Sequence, residues 1–467
     1  MFIKATDLIK ASDAINTVAS LDKNPAGVLM RVSTDGTEMY FSDGRSRAVN
    51  VKVESVVDED DYIGEVIFDF GKFIGVVNAG RSSGHIIVDS FDMKLSKKDD
   101  NTGICTVTIA KKLIMNKGGQ DVESVVAINS YDLGWTPAEK AGTKQAALNR
   151  VITPDLYDTT GGMEWSTAEL RDIVKNVTAN NSLAVYMSKR YNALMSNSHN
   201  TQILAIAKGT DINTTLAIST KYLKALTDTI GYFESEQVSL TPVMGANGRP
   251  YSILVSNPEQ TFSVYMGLTA ENTNDVVFFS KAAVMPFRNM QASIITEVIV
   301  DALRGIAASI PDAKSGRIDL CFKTTGERTE AGYPVELVIA ANNSGASTSD
   351  TYRIVCDGCY TTYEPKDDGV LVSVPVYISN LIETVGKLCG TYTAIDIDDT
   401  DDRRTIRIGN IDTDMLVDAA EQLKKTVEYQ SAHLGEEVTN LKLTPDERAS
   451  IRAKSLDTIA YIPAISK

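Results

Sequence analysis

Leu216-Ala217-Ile218-Ser219 is a short apolar run that passes into Lys221-Tyr222-Leu223-Lys224-Ala225-Leu226-Thr227-Asp228-Thr229-Ile230, where Leu223, Leu226 and Ile230 fall on one helical face. The same order, strand then helix, occurs twice more. Val66 to Phe70 leads into a short helix with Phe73, Ile74 and Val77 inward, and Val370 to Val376 leads into one carrying Ile378, Leu381, Ile382 and Val385. The strands start at Val66, Leu216 and Val372, offsets of 150 and 156 residues. So regular a period predicts three homologous domains, and a repeat has to be recognised before any single motif is weighed.

Ahead of each strand and helix stands another helix followed by strands. Leu8, Ala11, Ile15 and Val18 make a stripe over about Ala5 to Ala19, followed by strands Val28 to Ser33, Glu38 to Ser42 and Ala48 to Val53. In the second pass, Ser166 or Thr167 caps a helix with Leu170, Ile173, Val174 and Val177 inward, and the interval up to Leu216 has room for about two strands. In the third, Ile295, Ile299, Ala302, Ile306 and Ile310 form the stripe, and Ile318 to Phe322, Val335 to Ala340 and Tyr352 to Val355 are strands. Further strands close each pass: His85 to Asp89 and Thr106 to Ala110, then Val238 to Thr241, Tyr251 to Val255 and Phe262 to Met266, then Ala394 to Ile397 and Thr405 to Ile408. Residues 113–162, with Gly118-Gly119, Pro137, Pro154 and Gly161-Gly162, read as a connection or insertion. Residues 411–467 read as a helical tail, with a capping box at Thr444-Pro445-Asp446-Glu447.

Composition narrows the function. A chain of 467 residues with 43% hydrophobic and 23% charged residues is folded and large enough for several cores. It has no apolar run long enough to span a bilayer and no apolar stretch at its start, so it reads as cytoplasmic with no membrane partner. Five scattered cysteines do not make a disulfide framework. A net charge of −15 argues against coating nucleic acid with the whole surface but leaves room for a local basic face. Three histidines, His85, His199 and His433, are little material for metal or His-based catalytic chemistry, so the reading is of a protein without cofactor that is not an enzyme.

Three motifs invite chemistry, and each has a plainer reading. Gly80-Arg81-Ser82-Ser83-Gly84 has the spacing of a hydrolase nucleophile elbow, but it leaves a helix and enters a strand, the reverse of that context; it reads better as a glycine turn at a helix end. Cys356-Asp357-Gly358-Cys359 has zinc-knuckle spacing without a second ligand pair, and reads as a strand end and turn. The acidic run Asp396 to Asp402 lacks the glycine and the final glutamate of a calcium loop and reads as a solvated hairpin turn. No phosphate-binding loop or dinucleotide fingerprint is visible.

What remains is a set of basic residues on or beside the six repeated helices: Lys10, Lys23, Lys72, Arg81, Arg171, Lys175, Lys221, Lys224, Arg304 and Lys387. They are candidates for contacts to phosphates. The competing reading is ordinary solvated helix faces, since Asp13, Asp172, Glu297, Asp301 and Glu383 share those helices.

At this point the chain resembles the bacterial DNA sliding clamp, the β subunit of replicative DNA polymerase, whose relatives also occur in bacteriophages. Leu21-Asp22-Lys23-Asn24-Pro25-Ala26-Gly27-Val28-Leu29 is similar to the family's loop between first helix and first strand, and Gly44-Arg45-Ser46-Arg47 to its turn into a strand. Ala283-Val284-Met285-Pro286-Phe287-Arg288-Asn289 resembles the entry to its third domain, and Val335 to Asn343 the strand and turn inside that domain. The resemblance implies an α+β fold of three tandem clamp domains, each with two helices against curved antiparallel sheets, and two subunits closed head-to-tail into a ring. The domains are expected at 1–112, 163–268 and 276–410.

It further implies a homodimer that encircles double-stranded DNA, is opened by a clamp-loader ATPase and tethers the replicative DNA polymerase. Partners would dock in a groove walled by Met285 and Pro286. Such a ring slides only if basic helix faces attract phosphates without reading bases. The long connection, the tail and the scarcity of basic residues on the third domain's helices depart from the family and suit a viral member. The alternatives are a structural scaffold or virion component of tandem β-rich domains and, more distantly, a hydrolase using Ser82.

Overall fold

The computed structural model describes residues 1–467 apart from 118–119, 141–160, 181, 190, 199–200, 246–247, 270–291, 311–315, 325, 330–331, 342–350, 362–363, 366–367, 388–391, 399–404, 412–455 and 464–467. The apolar stripe over Leu8, Ala11, Ile15 and Val18 is buried and makes Ala5–Ala19 a helix. The first repeat runs β1 (Phe2–Lys4), α1 (Ala5–Ala19), β2 (Val28–Ser33), β3 (Gly36–Ser42), β4 (Arg47–Val53), β5 (Ser55–Val56), β6 (Gly64–Phe68), α2 (Phe70–Ala79), β7 (Ile86–Ile87), β8 (Ser90–Lys97), β9 (Gly103–Lys117) and β10 (Gln120–Pro137). Asp69 caps α2, its side chain accepting the Lys72 amide at 3.0 Å, so the helix begins at Phe70, where the sequence pattern still read strand.

The second repeat is β11 (Met163–Ser166), α3 (Thr167–Val177), β12 (Ala184–Ser188), β13 (Ala193–Asn197), β14 (Gln202–Ile206), β15 (Leu216–Ser219), α4 (Thr220–Ile230), β16 (Gln237–Met244), β17 (Pro250–Ser256) and β18 (Phe262–Gly267). The third is β19 (Ala292–Ile295), α5 (Thr296–Ser309), β20 (Arg317–Thr324), β21 (Tyr333–Ala341), β22 (Thr351–Thr361), β23 (Val370–Tyr377), α6 (Ile378–Lys387), β24 (Tyr392–Asp398), β25 (Thr405–Ile411) and β26 (Leu456–Pro463).

Strand order recurs with the sequence. The strand entering the second helix lies beside a three-strand meander as β6-β2-β3-β4, β15-β12-β13-β14 and β23-β20-β21-β22. The strand entering the first helix lies beside the last three strands as β1-β8-β9-β10, β11-β16-β17-β18 and β19-β24-β25-β26. All these pairings are antiparallel, and within each meander the short connections between neighbouring strands require it.

The chain divides into two compact units, Met1–Arg171 with Lys221–Ala270, and Asp172–Thr220 with Glu271–Lys467. In the first, β18 pairs with β4 from Phe262↔Val51 to Met266↔Arg47, and α1 packs on α2. In the second, β26 pairs with β14 from Gln202↔Tyr461 to Ala205↔Thr458, and α5 packs on α6, with Ile299, Leu303, Leu381 and Val385 in the buried core. The two joins are equivalent. In each, the last strand of one repeat adds to the third meander strand of the repeat before it.

Three sequence expectations are corrected. The boundary at residue 112 falls inside β9, and what read as a connection continues as β10, whose inward residues Leu133 and Trp135 are buried while Glu123, Ser130 and Asp132 give it a loop-like polarity. The second repeat has three meander strands, not two; they are only five residues long and buried almost throughout, so they show no alternation to be read. The tail is not helical where it is described: Thr458, Ala460 and Ile462 are buried at every second position of β26, which completes the last sheet of the third repeat. The capping box at Thr444 lies outside the described residues.

Candidate nucleic-acid interface

In the first unit, the helices and their flanks are tied together by side chains. Lys10 on α1 pairs with Glu234, just beyond α4, at 2.8 Å, and Thr17 lies 3.3 Å from the Tyr232 hydroxyl. Arg81, after α2, pairs with Asp13 on α1 and bonds Asn78 at 2.8 Å. Lys10 and Arg81 are therefore partly neutralised ties between elements. By contrast Lys23, Lys72, Arg171, Lys221 and Lys224 are exposed and make no ion pair among the described residues. Arg171 lies against the end of α4, where a Cβ on Gly231 would come within 3.1 Å of its guanidinium carbon.

A group that the sequence reading passed over lies beside Lys23. Arg47, at the start of β4, is nearly buried; its Nε donates to Asp43 at 2.9 Å, and its Nη2 is 3.6 Å from Asp22. Its guanidinium carbon sits 5.7 Å from the ring centre of Tyr222 on α4, a cation–π approach. Asp43 also accepts the amides of Arg45, Ser46 and Arg47 at 2.9, 2.8 and 2.9 Å. Burial alone would raise the Asp43 carboxyl, but these amides and the guanidinium outweigh it and hold it below the usual carboxylate range. One arginine thus joins the loop after α1, the β3–β4 turn and the start of α4. The available signal was Asp43-Gly44 before two arginines, an aspartate placed to bond amides two to four residues on.

Of the sequence candidates, fewer are exposed and without an ion pair among the described residues of the second unit. Lys175 is exposed one helical turn beyond Arg171 on α3. Arg304 is 3.8 Å from Asp301 on the same face of α5. The Lys387 side chain, Met285 and Pro286 lie outside the described residues. A cleft of about 630 Å³ in the first unit is lined by Asp7, Lys10, Lys52, Phe233, Glu234 and Glu259, a charged wall unlike an apolar peptide groove.

The chemical motifs resolve into structural parts. The Ser82 hydroxyl accepts the Val88 amide at 3.1 Å within the turn after α2, and Gly80 closes the helix where a Cβ would strike the Phe91 ring at 2.3 Å. Cys356 is buried in β22, in a bulge where four residues stand opposite one of β21. Asp396 is not solvated; it is fully buried and paired with Arg407 on the neighbouring strand. The Cys105 thiol is pushed up to about 12 by burial, which leaves it protonated and unreactive at neutral pH. Among the described residues no group of three His, Cys, Asp or Glu side chains is placed to hold a metal ion, and no helix is long and apolar enough to cross a membrane.

Sequence comparison finds no matching protein family and no similar curated protein. Structural comparison is decisive for the fold. The chain is similar over its whole length to the DNA polymerase sliding clamp from Bacillus subtilis, with 11% identity, 98% of that chain covered and a TM-score of 0.59. It is similar to the β sliding clamp of C. crescentus at 11% identity, 98% coverage of that chain and TM-score 0.60. The DNA polymerase III β subunit from Thermotoga maritima matches at 11% identity, 99% coverage of that chain and TM-score 0.57. The chain has the fold of the bacterial DNA polymerase sliding clamps.

Proposed function

We propose that the protein is a DNA sliding clamp: three clamp domains per chain, about 1–137, 163–267 and 292–463, closed head-to-tail with a second chain around duplex DNA, with no catalysis of its own. The observation that carries the reading is the recurrence of one strand order three times, with the last strand of each later repeat added to the repeat before it. Such head-to-tail addition closes into a ring when the rotation between successive domains permits. Of the two kinds of strand that make these joins, one of each is left without such a partner among the described residues: β22, the third meander strand of the third repeat, and β10, the last strand of the first, which meets β6 only at Trp135–Pro137. An exposed edge with Ile128 68% exposed invites another strand, and a second copy supplies one.

Exposed cations on helices, with net −15 for the chain, suit a ring that holds phosphates weakly and is acidic elsewhere. Polymerase and loader ATPase are the partners this reading requires. The test is electron microscopy of the purified protein with mass measurement and retention on circular against linear DNA. Closed rings of two chains that slide off linear DNA support the reading; a stable monomer that binds both forms alike removes it. Ile128→Asp should convert rings to single chains.

A further inference from the structure

We infer that the β3–β4 turn is a phosphate-contact loop in its own right, with Arg45 touching the DNA backbone beside Lys23 and Lys221, and with buried Arg47 as the positioning residue that aligns the three. This rests on the clamp reading and adds to it a contact and the device that sets it. Each of the three cations is one or two residues from a side chain that the Arg47 guanidinium bonds, pairs with or approaches: Lys23 follows Asp22, Arg45 is two beyond Asp43, and Lys221 precedes Tyr222. Guanidinium donors lie in a rigid plane, so a fork held by two carboxylates and lying near an aromatic ring fixes three chain segments at once.

The turn itself is over-determined. Asp43 takes three backbone amides, and the Ser46 hydroxyl donates to its second oxygen at 3.0 Å. Gly44 has φ +73°, which an ordinary side chain resists. The Gly267 amide at the end of β18 donates to the Ser46 carbonyl at 2.6 Å, and a Cβ there would meet Ser46 at 3.0 Å. None of these bonds uses the Arg45 side chain, which is exposed and makes no ion pair among the described residues. Asp43, the acid that would repel a phosphate at this place, is turned inward and bonded. The result is a stiff loop that presents a cation and hides its carboxylate, which is what sequence-independent backbone attraction needs.

The experiment uses the full chain and a short duplex of arbitrary sequence, with affinity measured by fluorescence anisotropy across a salt series and unfolding midpoints in parallel. Arg45→Ala should lower the slope of log affinity against log salt by about 0.9, as for one phosphate contact, with an unchanged midpoint, and Arg45→Lys should restore the slope. Arg47→Lys removes no surface cation, yet it should weaken binding about as much as Lys23→Ala with Arg45→Ala. Adding those two substitutions to Arg47→Lys should then cost little more, the non-additivity expected of a shared scaffold. An unchanged slope in Arg45→Ala, while Lys221→Ala with Lys224→Ala lowers it, overturns the inference and leaves the clamp reading standing. Wild-type protein that neither binds the duplex in a salt-dependent way nor is retained on circular DNA overturns both.

Discussion

Arg47 and Arg407 are both nearly buried arginines bonded to an aspartate, one in each unit, and they do different work. The Arg47 side chain is 9% exposed; it bridges two surface segments and approaches a tyrosine, while its main partner Asp43 is also bonded by the backbone of its own turn. Arg407 is 3% exposed and faces Asp396, which is fully buried, across the β24–β25 ladder, where the two are register partners. The first arginine sets the shape of a surface. The second fixes which residues of two strands stand opposite, because a slip of one position would bury each charge alone. A buried ion pair therefore does not by itself mark a functional site; what its neighbours expose decides that.

The comparison breaks most visibly at Arg407. Arg407→Ala strands a buried carboxylate and should cost about 3–5 kcal/mol in unfolding free energy, read from urea denaturation. Replacing both partners by apolar residues of similar size, Asp396→Leu with Arg407→Met, should recover most of that loss. If the single and double variants are equally unstable, the pair is not the register device described.

Arg47→Met should have a smaller effect, about 1–3 kcal/mol, since Asp43 keeps its three amide bonds after the guanidinium is gone. The sign of its acid dependence follows from Asp43. A carboxyl whose folded pKa is lowered contributes stability that is complete above its ordinary value of about 3.9 and is lost as pH falls from there through the lowered folded value. Unfolding midpoints measured downward from pH 5 should therefore fall less steeply below about pH 4 in Asp43→Asn than in the wild type. Parallel curves would show that the Asp43 bonds do not discriminate its charged form.

Much of this architecture is legible in the residues because burial on one face leaves a period. The stripe of α1 and strand β2 stand where the pattern puts them, and α4 begins one residue before the expected Lys221. Legibility fails where that period is erased. Strands β12 and β13 are buried on both faces, and β10 exposes Glu123, Ser130 and Asp132 together with Val125, Val126 and Ile128, which leaves no clean alternation. Ile295 and Ile310 continue the α5 stripe on paper, but Ile295 is the residue before the helix and is 47% exposed, and Leu303 takes the buried place instead. The candidate site was half legible: side-chain type marked Lys23, Lys221 and Lys224 as cations. That Lys10 and Arg81 are held by acids 224 and 68 residues away in sequence is a matter of long-range contact that no local spacing encodes.

The smallest effect expected is on α5, and it separates charge from geometry in the contrast between the two units. Arg304 and Asp301 are each 69% exposed and 3.8 Å apart at spacing i, i+3, a pair worth little to stability. Its consequence is electrostatic: the acid cancels the cation on a helix that also carries Glu297. Asp301→Asn should leave the unfolding free energy within about 0.5 kcal/mol of the wild type. It should also free Arg304 for phosphate and steepen the salt dependence of duplex affinity, by less than the 0.9 or so of a full contact. Arg304→Ala should change neither quantity measurably, since a cation already compensated contributes little to remove. If Arg304→Ala instead flattens the salt dependence as strongly as Lys221→Ala, the second unit contributes to duplex binding as strongly as the first, and the proposed attraction is shared between the two units rather than concentrated at Lys23, Lys221 and Lys224.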